Sequence, residues 1–375
     1  MRVAAFNVEN LFDRVKAFNE PETATTRDVL DAFDELNKLF EKASYSAADQ
    51  ARMLDLMTEL GILRDDEGPF VWLRKIRGQL ITRPRNDPPR IVARGRDDWV
   101  GWCELKTEAV DEQAILHTAQ VIADVGADVQ AIVEVESRPT LREFHELIFK
   151  KHTHQAYRHL MVIDGNDDRG IDVGLMTKAG FEITSMRSHV DDLKADGSPI
   201  FSRDCPEYTV TTPTGKTIVV LPNHFKSKFG GNDPTSRAKR LAQSTAVAGF
   251  YQRLLAAGFE NVVILGDLND TPDSQELAPL LGTTVRDVST HAAFTEFEFH
   301  ASTGDRGIGT FGTGADNSKI DYVLLSPALW NRVTRGGIFR KGAWTASHRW
   351  QMYSTLTGEV HAASDHHAIW VDLDL

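Results

Sequence analysis

The chain has 375 residues, 41% of them hydrophobic, and a formal net charge of -12, which allows a sizeable core and argues against a generally basic nucleic-acid coat protein. Two cysteines, Cys103 and Cys205, are too few for a disulfide framework or a thiolate metal site, so a reducing, cytoplasmic compartment is the simpler expectation, with one bridge between them left open. No apolar stretch is long enough for a bilayer and "MRVAAFNVENLF" lacks the pattern of a secretory signal, so a soluble protein without a membrane partner is expected.

The first strand-like run is "RVAAFNV", with Asn7 near its end. Residues 14–106 have a different texture. Two helical patterns come first, Val29, Phe33, Leu36 and Phe40, then Met53, Leu56, Met57 and Leu60, the second preceded by a capping-box pair, Ser46 and Asp49. Irregular sequence is expected after Pro69. There "VWLRKIRGQLITRPRNDPPRIVARGR" sets Arg74, Lys75, Arg77, Arg83, Arg85, Arg90, Arg94 and Arg96 against the single acid Asp87. Two readings stand side by side, a solvated surface paired with Asp97, Asp98 and other acids, and a phosphate-binding strip.

Residues 107–125 carry Val110, Ala114, Ile115, Val121, Ile122 and Val125 on a helical period, with Thr107 as N-cap and Gly126 just past the end. Short apolar runs rich in branched residues follow: "VQAIVEV", "DVGLMT", "YTVTT", "TIVVLPN", "NVVILGD" and "IDYVLLS", with a helix predicted around 236–256. "GIGTFG" at 307–312 imitates a dinucleotide-binding loop, but it precedes an apolar run instead of linking a strand to a helix, and is read as a flexible loop. In "ASDHHAIWVDLDL", Ile369, Val371, Leu373 and Leu375 alternate with polar Asp372 and Asp374, the period of a half-buried strand, and place Asp365 and His366 just before it. Strands and helices mixed over the whole length predict one layered α/β domain.

Polar residues of one chemical kind gather at the ends of these runs: Asn7, Glu134, Asn223 and His224, Asp267 and Asn269, Asp321, then Asp365 and His366. In layered α/β folds, strand ends are where loops converge to make sites. Singly each is weak, since a Glu after "AIV" is more often a surface or capping residue and an Asn-His pair is usually a turn. As a set they are hard oxygen donors suited to Mg²⁺ or Mn²⁺, as one or two divalent ions, and no Cys cluster or H-E-x-x-H pattern competes for zinc.

The order and spacing of "FNVENLF", "DVQAIVEVE", "NHFKSK", "GDLND", "IDYVLLS" and "SDHHAI" resemble the endonuclease/exonuclease/phosphatase family, the metal-dependent phosphoesterases that include DNase I-like nucleases. The resemblance covers residues 1–13 and about 107–375. It implies a four-layer sandwich of two packed, mostly antiparallel sheets flanked by helices. Residues 14–106 would be a helical and irregular insertion between the first strand and the first family helix. It also implies roles. Glu134 would hold the divalent ion with Asn7 and Asp365 beside it. His366 would take a proton from the attacking water, oriented by Asp321. Asp267 would position the water and is the rival base, disfavoured because an exposed Asp has too low a pKa. Asn269 and His224 would donate to phosphoryl oxygens. Asn223, Arg203, Arg169 and Lys226 are candidates for substrate contact. His367 carries no role and is expected to point away from His366.

Three functions are open to these residues: a nuclease or phosphodiesterase acting on DNA or RNA, suggested by the basic strip; a small-molecule phosphatase or phosphodiesterase whose insertion caps the site; and a non-catalytic binding module, disfavoured because every expected polar residue is present. Nothing in the sequence specifies an oligomeric state.

Overall fold

The computed structural model describes residues 1–11, 24–105, 112–167, 170–228, 233–300 and 304–375. The chain divides into two compact units, Met1–Phe12 with Asp111–Leu375, and Asp13–Val110; the second occupies nearly the stretch expected as an insertion.

The first unit is built on two sheets. The larger has seven strands in the order Phe294–Glu296, Val333–Phe339, Ala368–Leu373, Arg2–Leu11, Val129–Val135, Asp172–Thr177 and His159–Ile163. The smaller has six, Arg286–Asp287, Asp321–Leu325, Val262–Asp267, Thr217–His224, Glu207–Thr211 and Glu182–Arg187. Strand period two sorts their side chains. Val3, Ala5, Val129, Ala131, Ile369 and Val371 of the larger sheet pack against Val220, Val263, Leu265, Val323 and Leu325 of the smaller, forming the inner core. Ala4, Phe6, Val8, Ile132 and Trp370 face the other way, onto a helical layer that includes Ala119, Ile122, Leu141 and Phe144. Val219, Leu221, Val262, Ile264, Tyr322 and Leu324 do the same on the outer face of the smaller sheet, against Val247, Tyr251 and Leu254. Sheet is thus covered on both faces, the expected four layers.

Coverage on both faces explains why "VVIL" and "DYVLL" are continuous apolar runs. It also corrects the last strand. Ala368–Leu373 lies between Val333–Phe339 and Arg2–Leu11, so it is a central strand with both faces covered, not half-buried. Trp370 fills the outer layer, and Asp372 is tolerated because it pairs with Arg2 at 2.7 Å.

Two helices frame these layers. Glu112–Val125 ends where Gly126 takes φ +62 and its N–H returns to Ile122 O at 3.0 Å; the expected N-cap, Thr107, lies outside the described residues. Pro234–Ala256 starts at Asp233, whose side chain accepts from the N–H groups of Thr235 and Ser236, with Pro234 supplying a preset φ. No described helix is long and apolar enough to cross a membrane.

In the second unit, helices Ala24–Phe40 and Ala47–Glu59 bury Leu36, Phe40, Met53, Leu56 and Met57 with Val71, Ile81, Ile91 and Trp99. The capping box of Ser46 and Asp49 is formed. The stretch expected to be irregular instead contains a two-stranded antiparallel ribbon, Val71–Gly78 with Trp99–Leu105, and a shorter pair, Ile81–Thr82 with Arg90–Ile91. The exposed run Arg74–Gln79 hid the ribbon, because it breaks the apolar alternation that marks a strand. Cys103 and Cys205 are both buried free thiols.

Candidate active site

The sheets bring six strand ends to one rim. Arg2–Leu11 runs parallel to Val129–Val135, and Thr217–His224 parallel to Val262–Asp267, so their C-terminal ends coincide; Asp321–Leu325 and Ala368–Leu373 run antiparallel to these and begin there. Period two then chooses the side chains. Asn7 follows Val3 and Ala5 onto the inner face, His224 follows Ile218 and Val220, Asp267 follows Val263 and Leu265, and Asp321 precedes Val323 and Leu325.

Glu134 reaches the same side by breaking the alternation. Val129 and Ala131 are in the inner core, yet Ile132 and Val135 are both in the outer layer. The register against Asp172–Thr177 shifts between Val133 and Val135, and Glu134 sits at φ +66. This bulge re-aims a carboxylate that regular pleating would have sent outward. Asn269, at φ +53, is likewise held in the left-handed region.

Eight of the expected residues meet at this rim. Asn7 is the hub: its Nδ2 lies 3.2 Å from Glu134 Oε1, 3.3 Å from Asp267 Oδ2 and 3.4 Å from His366 Nε2. His366 Nδ1 lies 2.9 Å from Asp321 Oδ2, and its Nε2 faces Asp365 Oδ1 at 3.8 Å and Asp267 Oδ2 at 4.0 Å. His224 Nε2 stands between Glu134 Oε1 at 3.6 Å and Asp267 Oδ2 at 3.7 Å. Asn269 clamps Asp267, its N–H donating to Oδ1 at 2.8 Å and its Nδ2 to Oδ2 at 3.0 Å.

The electrostatics follow from burial of so many acids together. Burial and the charge of Asp321 push the Asp267 carboxyl up to about 8. Burial also raises Asp365. For His366 burial opposes the charged form, but Asp321, through its charge and hydrogen bond, and then Asp365 and Asp267 outweigh it and hold the imidazolium well above the usual range. One expectation is therefore corrected. Asp267 was disfavoured as a base for being exposed, whereas it is 1% exposed and its carboxyl is raised, not low.

The remaining candidates scatter. Asn223 is on the opposite face of its strand from His224, its amide donating to Leu221 O at 2.9 Å, as alternation requires of neighbours in a strand. Arg203 is buried, with Nε 3.0 Å from Asp167 Oδ2. Lys226 is half-buried, its backbone N–H bonded to Gln243 Oε1 at 2.9 Å. Arg169 lies outside the described residues. His367 is buried edge-on against Trp350 at 4.8 Å, away from the acids.

Three contributors escaped sequence reasoning. Glu9 Oε2 accepts from the Asp365 N–H at 3.1 Å, and its own N–H donates to Asn7 Oδ1 at 3.0 Å; its spacing of two from Asn7 was the available signal. Thr310 and Phe311 belong to the loop read as flexible. Thr310 Oγ1 accepts from the Asp321 N–H at 2.8 Å, Thr310 O from the His367 N–H at 2.7 Å, and the Phe311 ring lies edge-on to His366 at 4.9 Å. The loop is a wall of the site, tied down on both sides.

The donor set fits a hard divalent cation. Glu134, Asp267, Asp321 and Asp365 converge, and among the described residues no lysine or arginine forms an ion pair with any of them; only His224 and His366 do. Ligand atoms of Asp267, Asp321 and His366 all lie within 4.8 Å of one another. Asn7 presents its nitrogen to the acids, the end of the amide that cannot hold a cation.

Comparison with curated protein sequences finds no match. Among solved structures, a mannosyl-6-phosphatase of Bacteroides thetaiotaomicron has a TM-score of 0.50 at 16% identity, covering 70% of this chain and 91% of that one. The human Nocturnin catalytic domain with bound sulfate gives 0.49 at 13% identity, covering 71% and 88%. Truncated Caenorhabditis elegans TDP2 gives 0.46 at 16%, covering 69% and 88%. The first likeness is one of fold, two large sheets flanked by helices. Residues 93–345, which contain Glu134, His224, Asp267, Asn269 and Asp321, match a family by sequence, and the chain belongs to that family, the Endonuclease/Exonuclease/phosphatase family.

Proposed function

We propose that the protein is a divalent-metal-dependent phosphoesterase that acts as a nuclease or phosphodiesterase on DNA or RNA. The observation that carries the chemistry is the His366–Asp321 pair at 2.9 Å, with Nε2 turned toward a group of carboxylates at the sheet rim. Asp321 accepts the Nδ1 proton and so fixes the tautomer whose Nε2 is free to take a proton from water. The water oxygen attacks phosphorus, its proton passes to Nε2, and the P–O bond to the leaving group breaks; His224, between Glu134 and Asp267, is placed to protonate the departing oxygen.

Glu134 and Asp365 would hold Mg²⁺ or Mn²⁺, which would polarise a phosphoryl oxygen, offset charge on the leaving oxygen and relieve the pull of these acids on the His366 proton. Asp267, clamped by Asn269, orients the water. Nucleic acid as substrate is supported by the cations of residues 71–96, of which Lys75, Arg77, Arg85 and Arg90 are exposed. The net charge of -12 favours the second reading, a small-molecule phosphatase or phosphodiesterase.

Turnover of plasmid, oligonucleotides, bis-p-nitrophenyl phosphate and phosphomonoesters with Mg²⁺ and Mn²⁺ separates them. Diesters and oligonucleotides are expected to be cut, and His366→Ala to lose at least about a hundredfold, the usual worth of a general base. Turnover of monoesters alone would transfer the assignment to the second reading.

A further inference from the structure

The ribbon of the second unit has a surface that the catalytic chemistry does not use. In Val71–Gly78, Val71 is buried in the core, but Arg74 through Gln79 are six successive exposed residues. A strand lying on a core alternates; Arg74–Gln79 do not, while the paired strand still does, with Trp99, Gly101 and Cys103 buried and Trp102 exposed between them.

A bulge sets what one face carries. Arg74 is the register partner of Trp102 and Lys75 of Gly101, after which the pairing slips, so that Arg77 opposes Val100 instead of Trp99. The extra residue, Ile76, is 71% exposed. The slip moves Arg77 onto the face of Val100 and Trp102, the face that Trp72 and Arg74 already share. Trp99, on the other face, is in the core. The outer face therefore interleaves two tryptophans with two arginines. The Arg74 guanidinium stacks over the Trp72 ring at 4.5 Å and its Nε bonds Glu104 at 2.6 Å. Trp102 remains 42% exposed, and Arg77 has no ion pair among the described residues.

Edge strands use charges and bulges to block pairing with other chains, which accounts for Lys75 and for a bulge. It does not account for Ile76 and Trp102 at the surface, since exposed apolar groups invite association. Aromatic rings beside guanidinium groups are what single-stranded nucleic acid needs: faces for bases to stack on and cations for phosphates. The charge agrees, because residues 71–96 contain eight basic residues and one acid in a chain of net charge -12.

We infer that this ribbon face, Trp72, Arg74, Arg77 and Trp102, is a docking surface for single-stranded nucleic acid. It rests on the proposed action on nucleic acid and adds the place where the strand is held.

The test is binding of the full-length protein to a fluorescein-labelled 20-mer single strand, followed by anisotropy in EDTA so that nothing is cut, from 50 to 200 mM NaCl. Trp102→Ala is expected to weaken binding roughly tenfold. Arg74→Ala with Arg77→Ala should reduce the salt slope by about 1.4, at about 0.7 per phosphate contact. Both variants are exposed substitutions, should melt as the wild type does, and should hydrolyse bis-p-nitrophenyl phosphate at the wild-type rate. Unchanged affinity and salt slope in both variants overturn the inference even if the diester is hydrolysed. Equal dependence on these residues for binding anionic phosphatidylserine vesicles, with no binding of the oligonucleotide, overturns it in favour of a lipid surface. Ribbon-dependent oligonucleotide binding without any diester turnover would uphold the docking surface and end the proposed function.

Discussion

Asp321→Asn offers the sharpest test of the catalytic pair. The side chain keeps its shape, and the Thr310 contact, made by the backbone N–H of residue 321, is retained. What disappears is a charge 2.9 Å from His366 Nδ1, buried with it. At an effective dielectric of about 20 that charge attracts an imidazolium by about 6 kcal/mol, an upper limit on what its loss can cost the base. General-base catalysis supplies about 10²–10⁴ in rate, or about 3–5 kcal/mol, so the limit allows the whole of it to be lost. The asparagine can also turn its amide nitrogen to Nδ1, which moves the imidazole proton to Nε2 and removes the acceptor. Hydrolysis of bis-p-nitrophenyl phosphate should fall by about 10²–10⁴ in kcat, with the thermal midpoint little changed. The decisive measurement is the double variant with His366→Ala. If Asp321 acts only through His366, the double variant is no slower than His366→Ala alone, because there is nothing left to orient. A further loss of a hundredfold in the double variant would refute the pair and make Asp321 a cation ligand, as the 4.8 Å grouping of Asp267, Asp321 and His366 also allows.

Chelation by EDTA should abolish turnover, Mg²⁺ or Mn²⁺ should restore it, and either ion should raise the thermal midpoint of the inactive His366→Ala protein, since a ligand at a hundred times its Kd adds about 2.7 kcal/mol. Gly266→Ala should destabilise by about 2 kcal/mol or more in chemical denaturation, because Gly266 has φ +119 and an added Cβ would meet Asn223 O at 2.2 Å. Cys103, whose thiol burial pushes up to about 12, and Cys205, which burial also raises well above the ordinary thiol range, should both resist thiol reagents at pH 8 until the protein is unfolded; rapid labelling of the native protein would contradict their placement.

Much of the site was legible because the rim is made by strand ends. A strand covered on both faces reads as an apolar run, and the first polar residue after it marks where cover stops, which is how Asp267 and Asn269 after "VVIL" and Glu134 after "AIV" stood out. The helix end at Gly126 was readable for the same local reason, that caps are a matter of a few residues. Asn223 separates from His224 on sequence alone, since neighbours in a strand face opposite ways.

Other features depend on which segments meet. The bulge that turns Glu134 inward is a mismatch between two strands, and the one that turns Arg77 beside Trp102 is another; neither belongs to a single segment. The loop containing Thr310 and Phe311 has no local mark of function and acquires one only by crossing Asp321 and His366. Burial of Asp267, which reverses its acidity, is likewise set by the surrounding acids and layers. By itself the sequence determined the kinds of groups, their strand-end positions and the layered architecture, because hydrophobic period and capping are short-range. The tertiary structure decided which of those groups touch and how charged they are, because distance and dielectric arise only when remote strands pair.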